Sequence, residues 1–590
     1  MLRRFLLLLI ISVVIAFPNP DSKSISQQNA VAVVITPLGS IQGTVILSHH
    51  GKQIFAFRGV RYAKAPIDDL RFQPPQPIEK WEGPYNATKD GPACPQPVVT
   101  PISEDCLLLN VYTSKILEDV DVNNISKGCI KCKPETVRIP KGNEIHKLPV
   151  MVFFHPGGFQ VGSGNSEEYG PQYLLDHDIV LVVPNYRLAT LGFLSTGDKE
   201  APGNNGLKDQ LQALKWVKEN IASFGGDPDA VTIAGSSAGA TSVTLHLVSP
   251  LSKGLFHNAI AMSGSSFGSL PVPNNQMKLA KKQAQLLNCP EDNSANIIKC
   301  LKSKSAEEIA NSYSKFKDED LLESGSIWLP VIEQDFGQQR FLPAHPVELM
   351  QNDQFAKVPF LTGVTTDEFV KQAFNMLKNP QLLQDMDKYP PISSLYEKES
   401  NSTKTVSKEL KKIYFEDKPI DNSTTAGLVN FYSDGMVGFG VNRGVKLFAE
   451  KSNESVYYYH FNYKGRHSFF YLPDSNDTVP YGVSHLDDLI YLFHNSKKFS
   501  DYKDDDPETD TIQKMTTMWS NFVKSGKPVP DQTEQLDNVK WEPFTMKAKK
   551  YLEIGNKLVL NENLNEKRYG EWEKSFPLSK YQGKNKKQHG

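Results

Sequence analysis

Val231-Thr-Ile-Ala-Gly-Ser-Ser-Ala-Gly-Ala240 runs an apolar, β-rich stretch into Gly235-Ser-Ser-Ala-Gly239, a G-x-S-x-G pattern. A serine at that spacing fits a strained strand-to-helix turn, the nucleophile elbow, because glycines two residues either side let the flanking backbones pass closely. Ser237 is thereby the candidate nucleophile. The N–H of Ala238 opens the following helix, where unpaired donors and the helix dipole favour negative charge. Alone, five such residues suit a Gly/Ser-rich turn equally well, so the flanking sequence decides.

Working outward, the apolar runs Pro149–Phe154, Ile179–Val183, Val231–Ala234, Asn258–Met262 and Val358–Leu361 lack polar alternation. Such runs predict strands buried on both faces of a helix-covered sheet. From Gly206 to Phe224, Leu207, Leu211, Leu214, Val217 and Ile221 recur at helical spacing, and Gly225-Gly226 ends the helix before the serine strand. Strand, helix, strand and elbow in that order predict an α/β protein. There is no internal repeat and no evident linker. One domain is expected over 17–575, with a charged surface insertion at 118–147 and a basic tail at 576–590.

Composition narrows the function classes. The formal net charge of -2 offers no field for gathering nucleic acid or an anionic membrane. Arg3 and Arg4 precede an apolar run from Phe5 to Ala16, which reads as a signal peptide over 1–16 and is too short to span a bilayer comfortably. No lipid-anchor tail or membrane anchor is expected, and secretion follows. Six cysteines fall into three close pairs, Cys94 with Cys106, Cys129 with Cys132, and Cys289 with Cys300. In an oxidising compartment, local disulfides are the simplest pairing. Sequons at Asn86, Asn124, Asn401, Asn422, Asn453 and Asn476 accord with a secreted glycoprotein.

A nucleophilic serine needs a base, an orienting acid and an oxyanion hole. Upstream, the strand ending at Phe154 leads into His155-Pro-Gly-Gly-Phe159, which resembles the H-G-G-G loop that donates N–H groups to an oxyanion. Pro156 has no N–H. Aligned on Phe159, the donors fall at Gly157 and Gly158, joined by Ala238. Further ordered motifs are Phe57-Arg-Gly-Val-Arg-Tyr-Ala63, Ser103-Glu-Asp-Cys-Leu-Leu-Leu-Asn110, Asn185-Tyr-Arg187, Gly203-Asn-Asn-Gly206, Asp209-Gln210, Gly363-Val-Thr-Thr-Asp-Glu368 and Gly482-Val-Ser-His-Leu-Asp-Asp488. With the elbow, these resemble the type-B carboxylesterase and cholinesterase family across nearly the whole mature chain, in its insect secreted form.

The resemblance implies an α/β-hydrolase fold, a large and mostly parallel mixed sheet flanked by helices. It implies Glu368 as triad acid and His485 as base; spacing alone leaves 13 histidines and the neighbouring Asp367, Asp487 and Asp488 open. His155 and His246 are expected to be structural, and Arg58, Glu104, Arg187 and Asp209 resemble the family's internal ion pairs. The implied chemistry is acyl transfer to Ser237 and then to water, on a small-molecule ester, with no metal or organic cofactor. The motifs set no oligomeric state. A rival reading is a carrier or adhesion glycoprotein that binds without turnover. Among esterases, a cholinesterase is disfavoured because Gln96 stands where the choline-stacking tryptophan would fall. A juvenile-hormone-type esterase usually carries Gln before the nucleophile, where this chain has Ser236.

Overall fold

Along the central strands, successive side chains enter different cores. In β6 (Leu148–Phe154), Val150, Val152 and Phe154 join one hydrophobic cluster while Met151 and Phe153 join another. In β9 (Asn258–Met262), Ala259 and Ala261 face the first and Ile260 and Met262 the second. A strand with both faces buried has no polar side, which is why these runs show no alternation in sequence. The computed structural model describes residues 31–97, 101–116, 147–268, 272–316, 327–381, 383–384, 401–473 and 475–581. The expected leader 1–16, the sequon at Asn124, both Cys129 and Cys132, and nearly all of the 118–147 insertion lie outside them.

The remaining strands are β1 (Val31–Thr36), β2 (Gly39–Leu47), β3 (Gln53–Arg61), β4 (Pro84–Asn86), β5 (Leu108–Thr113), β7 (Val180–Pro184), β8 (Gly226–Ser236), β10 (Phe360–Thr365), β11 (Val456–Phe461), β12 (Lys550–Ile554) and β13 (Leu558–Glu562). Among the described residues they form one mixed sheet in the order β1-β2-β3-β5-β7-β6-β8-β9-β10-β11-β12-β13, with β4 beside β2. From β7 through β12 every neighbour is parallel, and the outer pairs are antiparallel except β2 with β4, which is parallel. Helices cover both faces. Leu207, Leu211, Leu214 and Val217 of helix Asn205–Asn220 pack into the first core, and Ile512, Met515, Trp519 and Phe522 of helix Glu508–Ser525 into the second.

Differences from the sequence-based expectations have local causes. The serine strand begins at Gly226 rather than Val231, because Gly226 already pairs with Leu148. β10 starts at Phe360, since Pro359 offers no N–H to a ladder, and runs on through Thr362, whose buried hydroxyl donates to Ala261 O at 2.7 Å. The helix expected to reach Phe224 is α-helical to Asn220 and tightens into a 3-10 turn, ended by Gly225 at φ 76°. The chain past 575, expected as a tail, is packed up to Tyr581: Phe576 is buried, and the Tyr581 ring stacks 4.3 Å from His345. Its aromatic residues outweigh the lysines around them.

Disulfides join Cys94 to Cys106 and Cys289 to Cys300, as proximity in the sequence suggests. The third expected bridge, from Cys129 to Cys132, falls outside the described residues, so two of the three pairings are seen. Arg187 and Asp209, both buried, form a bidentate pair with contacts of 2.8 and 2.7 Å, and the Arg187 N–H adds a third at 3.0 Å. That pair pins the turn after β7 to the helix preceding the serine strand. Removing one partner strands the other's charge. Asp209→Ala is expected to lower unfolding free energy by about 3–5 kcal/mol, read as a drop in urea midpoint at unchanged slope.

Candidate active site

Ser237, Ala238, Gly157, Gly158 and Glu368 lie at or just beyond carboxyl ends of parallel strands, where side chains and helix N-termini converge, and His485 lies in a later turn whose neighbour Ser484 bridges Asp367. β8 ends at Ser236, and helix Ala238–Val248 begins one residue after Ser237. Ser237 itself sits at φ 55°, ψ −118°, and its N–H donates to Met262 O at 2.9 Å. An L-residue adopts that backbone only where the surroundings enforce it. Here the enforcement is steric: a Cβ on Gly239 would lie 2.0 Å from Phe154 O, and one on Gly235 would lie 2.4 Å from Gly239. Strand, turn and helix are therefore pressed together, and the serine stands at the carboxyl end of a central strand.

Phe154, the last residue of β6, pairs with Gly235, so the loop His155–Gly162 starts beside the elbow. Gly157 and Gly158 have φ of 126° and 62°. Their carbonyls bond within the loop: Gly157 O accepts from Gln160 N at 3.0 Å and Val161 N at 3.1 Å, and Gly158 O from Gln160 Nε2 at 3.2 Å. His155 is buried, stacked 4.3 Å from the Tyr186 ring, with Nδ1 2.8 Å from Pro156 O. Burial pushes its imidazole down to about 4, so it is neutral. His246 is likewise internal, between Ser252 Oγ at 2.7 Å and Gln210 Oε1 at 3.1 Å.

Glu368 follows β10, and its Oε2 is hydrogen-bonded to His485 Nδ1. The carboxylate is 1% exposed, yet the imidazole keeps a 14% exposed edge. Burial alone raises the Glu368 pKa, but the charge and hydrogen bond of His485, with the Thr365 N–H at 2.9 Å, outweigh it and hold the group below its ordinary range. The loops carrying Glu368 and His485 are also tied together: Asp367 N–H donates to Val483 O at 2.8 Å, and Val483 N–H to Asp367 Oδ2 at 2.9 Å. Asp487 accepts from Ser484 N, Phe469 N and Ser468 Oγ at 2.7–2.8 Å, bracing the turn that carries His485.

Other contributors were not legible in the motifs. The Phe369 ring lies 4.3 Å from the His485 ring, and Ser433 Oγ donates to Glu368 O at 2.8 Å. Ser433 carries no local signal, because its partner is 65 residues away. A cavity of about 190 Å³, lined mainly by apolar groups, among them Gly157, Tyr169, Phe469, Leu486, Leu489 and Ile490, touches the glycine loop and the residue after His485, but Ser237, Glu368 and His485 do not line it. Among the described residues no His/Cys/Asp/Glu cluster is arranged to hold a metal ion. The expected ion pairs are structural: Arg187 with Asp209, Glu104 with Arg71, and Arg58 at 3.6 Å from Asp90.

Comparison with known proteins agrees with this geometry. Residues 30–572 match the carboxylesterase family. The chain is 35% identical over 535 residues to a juvenile hormone esterase of Tribolium castaneum, covering 86% of each chain. It is 36% identical over 520 residues to esterase FE4 of Myzus persicae, covering 84% and 85%. The crystal structure of juvenile hormone esterase from Manduca sexta, with OTFP covalently attached, superposes with a TM-score of 0.78 at 27% identity, covering 92% of this chain and 99% of that one. With its helix-flanked mixed sheet and its strand-end turns, the chain belongs to the carboxylesterase family, a carboxylic ester hydrolase on the α/β-hydrolase fold.

Proposed function

We propose that this is a secreted serine carboxylesterase in which Ser237 is the nucleophile, His485 the general base and Glu368 the orienting acid. The observation that carries the proposal is the buried Glu368–His485 hydrogen bond on loops held together by backbone, and the enforced elbow at Ser237, at the end of a strand two places from β10 in the sheet, supports it. The bond to Nδ1 fixes the tautomer, leaving Nε2 to take the serine proton. Ser237 then attacks the ester carbonyl, the alcohol leaves with that proton, and water releases the acid by the reverse sequence. Gly157, Gly158 and Ala238 supply N–H groups to the oxyanion; the inward bonding of the Gly157 and Gly158 carbonyls supports this.

Secretion is supported by the leader-like 1–16, the two disulfides, and the exposure of the sequon residues Asn86, Asn422, Asn453 and Asn476. No helix among the described residues is long and apolar enough to cross a membrane. Two relatives bear the name juvenile hormone esterase, but Ser236 departs from the residue that class carries before the nucleophile, so the reading stays with carboxylic esters as a class.

Hydrolysis of a short nitrophenyl ester, with active sites titrated by an organophosphate, tests the assignment. Repeated turnover lost in Ser237→Ala is expected, with Glu368→Gln lower in kcat by about 10⁴-fold; a single stoichiometric burst would instead mean a scavenger. A second expectation concerns Asp488, fully buried, which accepts the Tyr459 hydroxyl at 2.8 Å. Burial, then the charge of Glu368, pushes its carboxyl up to about 6. In the unfolded chain it ionises near about 3.9. Its folded pKa is the higher, so its stabilising contribution is full below about pH 4 and is lost as pH rises through about 6. Asp488→Asn cannot ionise and keeps the acceptor for Tyr459. Its urea midpoint should exceed wild type at pH 7–8, equivalent to about 1–3 kcal/mol, and converge with it near about pH 4.

A further inference from the structure

Gln96 enters the sequence only as the residue standing where a choline-stacking ring would be, yet it makes three well-formed hydrogen bonds. It is 1% exposed. Its Oε1 accepts the Gly162 N–H at 2.7 Å, and its Nε2 donates to Gly162 O at 2.7 Å and to Cys94 O at 3.0 Å. A carboxamide has one acceptor oxygen and two N–H donors, and all are used here. The segment that carries it is fastened by the Cys94–Cys106 disulfide.

Gly162 closes the loop that begins at His155. Its φ is 115°, and a Cβ there would lie 2.5 Å from His155 Nδ1 and 2.6 Å from Pro156 O. Gly162 therefore backs directly onto the stem from which Gly157 and Gly158 project. Between them, Val161 N–H reaches back to Gly157 O, so stem, turn and closing residue are one hydrogen-bonded unit. His155 is neutral and offers the stem a stacking contact but no charged anchor.

We propose that Gln96 is a positioning residue for the oxyanion loop: by gripping both polar groups of Gly162, it holds the Gly157–Gly158 backbone where a tetrahedral oxyanion is received. This rests on the assignment of Gly157 and Gly158 as oxyanion donors. Groups that act only on the oxyanion alter kcat and the binding of tetrahedral adducts, with little effect on ground-state affinity. Losing one such donor outright costs about 10²–10³ in kcat, so loosening the loop costs less.

The test uses the full-length protein, with kcat and KM for nitrophenyl butyrate expressed per organophosphate-titrated site, and the inhibition constant of a trifluoromethyl ketone, which adds to the serine as a hemiketal. Gln96→Leu is expected to lower kcat per site by about 10- to 100-fold and to weaken the ketone by a similar factor. KM should stay within about threefold and the shape of the pH profile should not change. Gln96→Glu, of the same shape, keeps the acceptor for Gly162 N–H and should fall between; it also serves if the leucine variant does not fold. Both values within about twofold of wild type per titrated site, or a loss confined to the number of titratable sites and the melting temperature, would overturn the proposal. Gly158→Pro, measured alongside, separates the two levels. If it is inactive while the Gln96 variants are normal, only the role of Gln96 falls; if it turns over normally, the oxyanion assignment falls and this proposal with it.

Discussion

The backbone of Ser237 is the constraint on which the rest of the structure depends. At φ 55° it is in a conformation a serine would leave if it could, and what prevents that is the contact of Gly235, Gly239 and the end of β6 at distances no side chain fits. Those contacts exist only if β6 and β8 are adjacent and parallel, and that arrangement requires helices on both faces of the sheet. The two hydrophobic cores are thus part of the site: they supply the stability against which the strained turn is held.

A second requirement is electrostatic. Glu368 is buried and below its ordinary pKa, while Asp487 and Asp488 nearby are pushed up to about 7 and about 6 by burial. What separates them is the partner: Glu368 meets an imidazole, whereas Asp488 has the Tyr459 hydroxyl. A carboxylate that accepts a charge-assisted bond stays ionised, and one that faces only neutral donors in a dry interior tends to take a proton. Asp487 and Asp488, adjacent in the turn that carries His485, are thereby set apart from Glu368, which reaches the imidazole from a different loop.

The central strands, the long helix before the elbow and the elbow itself were legible because each has a local signature: an unbroken apolar run, a helical period, or glycines at fixed spacing. The outer strands β1, β2, β12 and β13 were not, since half-exposed strands mix polar residues into their pattern. Glu368 and His485 followed from family motifs, because nothing near either residue says that the two meet across 117 positions. Gln96 was noticed only for the ring it replaces. Its partner is 66 residues away, and a single buried carboxamide leaves no periodic trace.

The order of strands in the sheet also has a meaning in time. β11 and β12, which complete the parallel sheet beside β10, are among its last strands to be synthesised, and His485 follows β11. Ser237, its elbow and the glycine loop therefore emerge from the ribosome long before Glu368 and His485. A growing chain carries that serine on strands of which one face, the one helix Glu508–Ser525 packs against, has yet to gain that helix. Until that helix is made, the apolar face left open is a surface for aggregation, so the order of synthesis asks for shielding of the unfinished sheet.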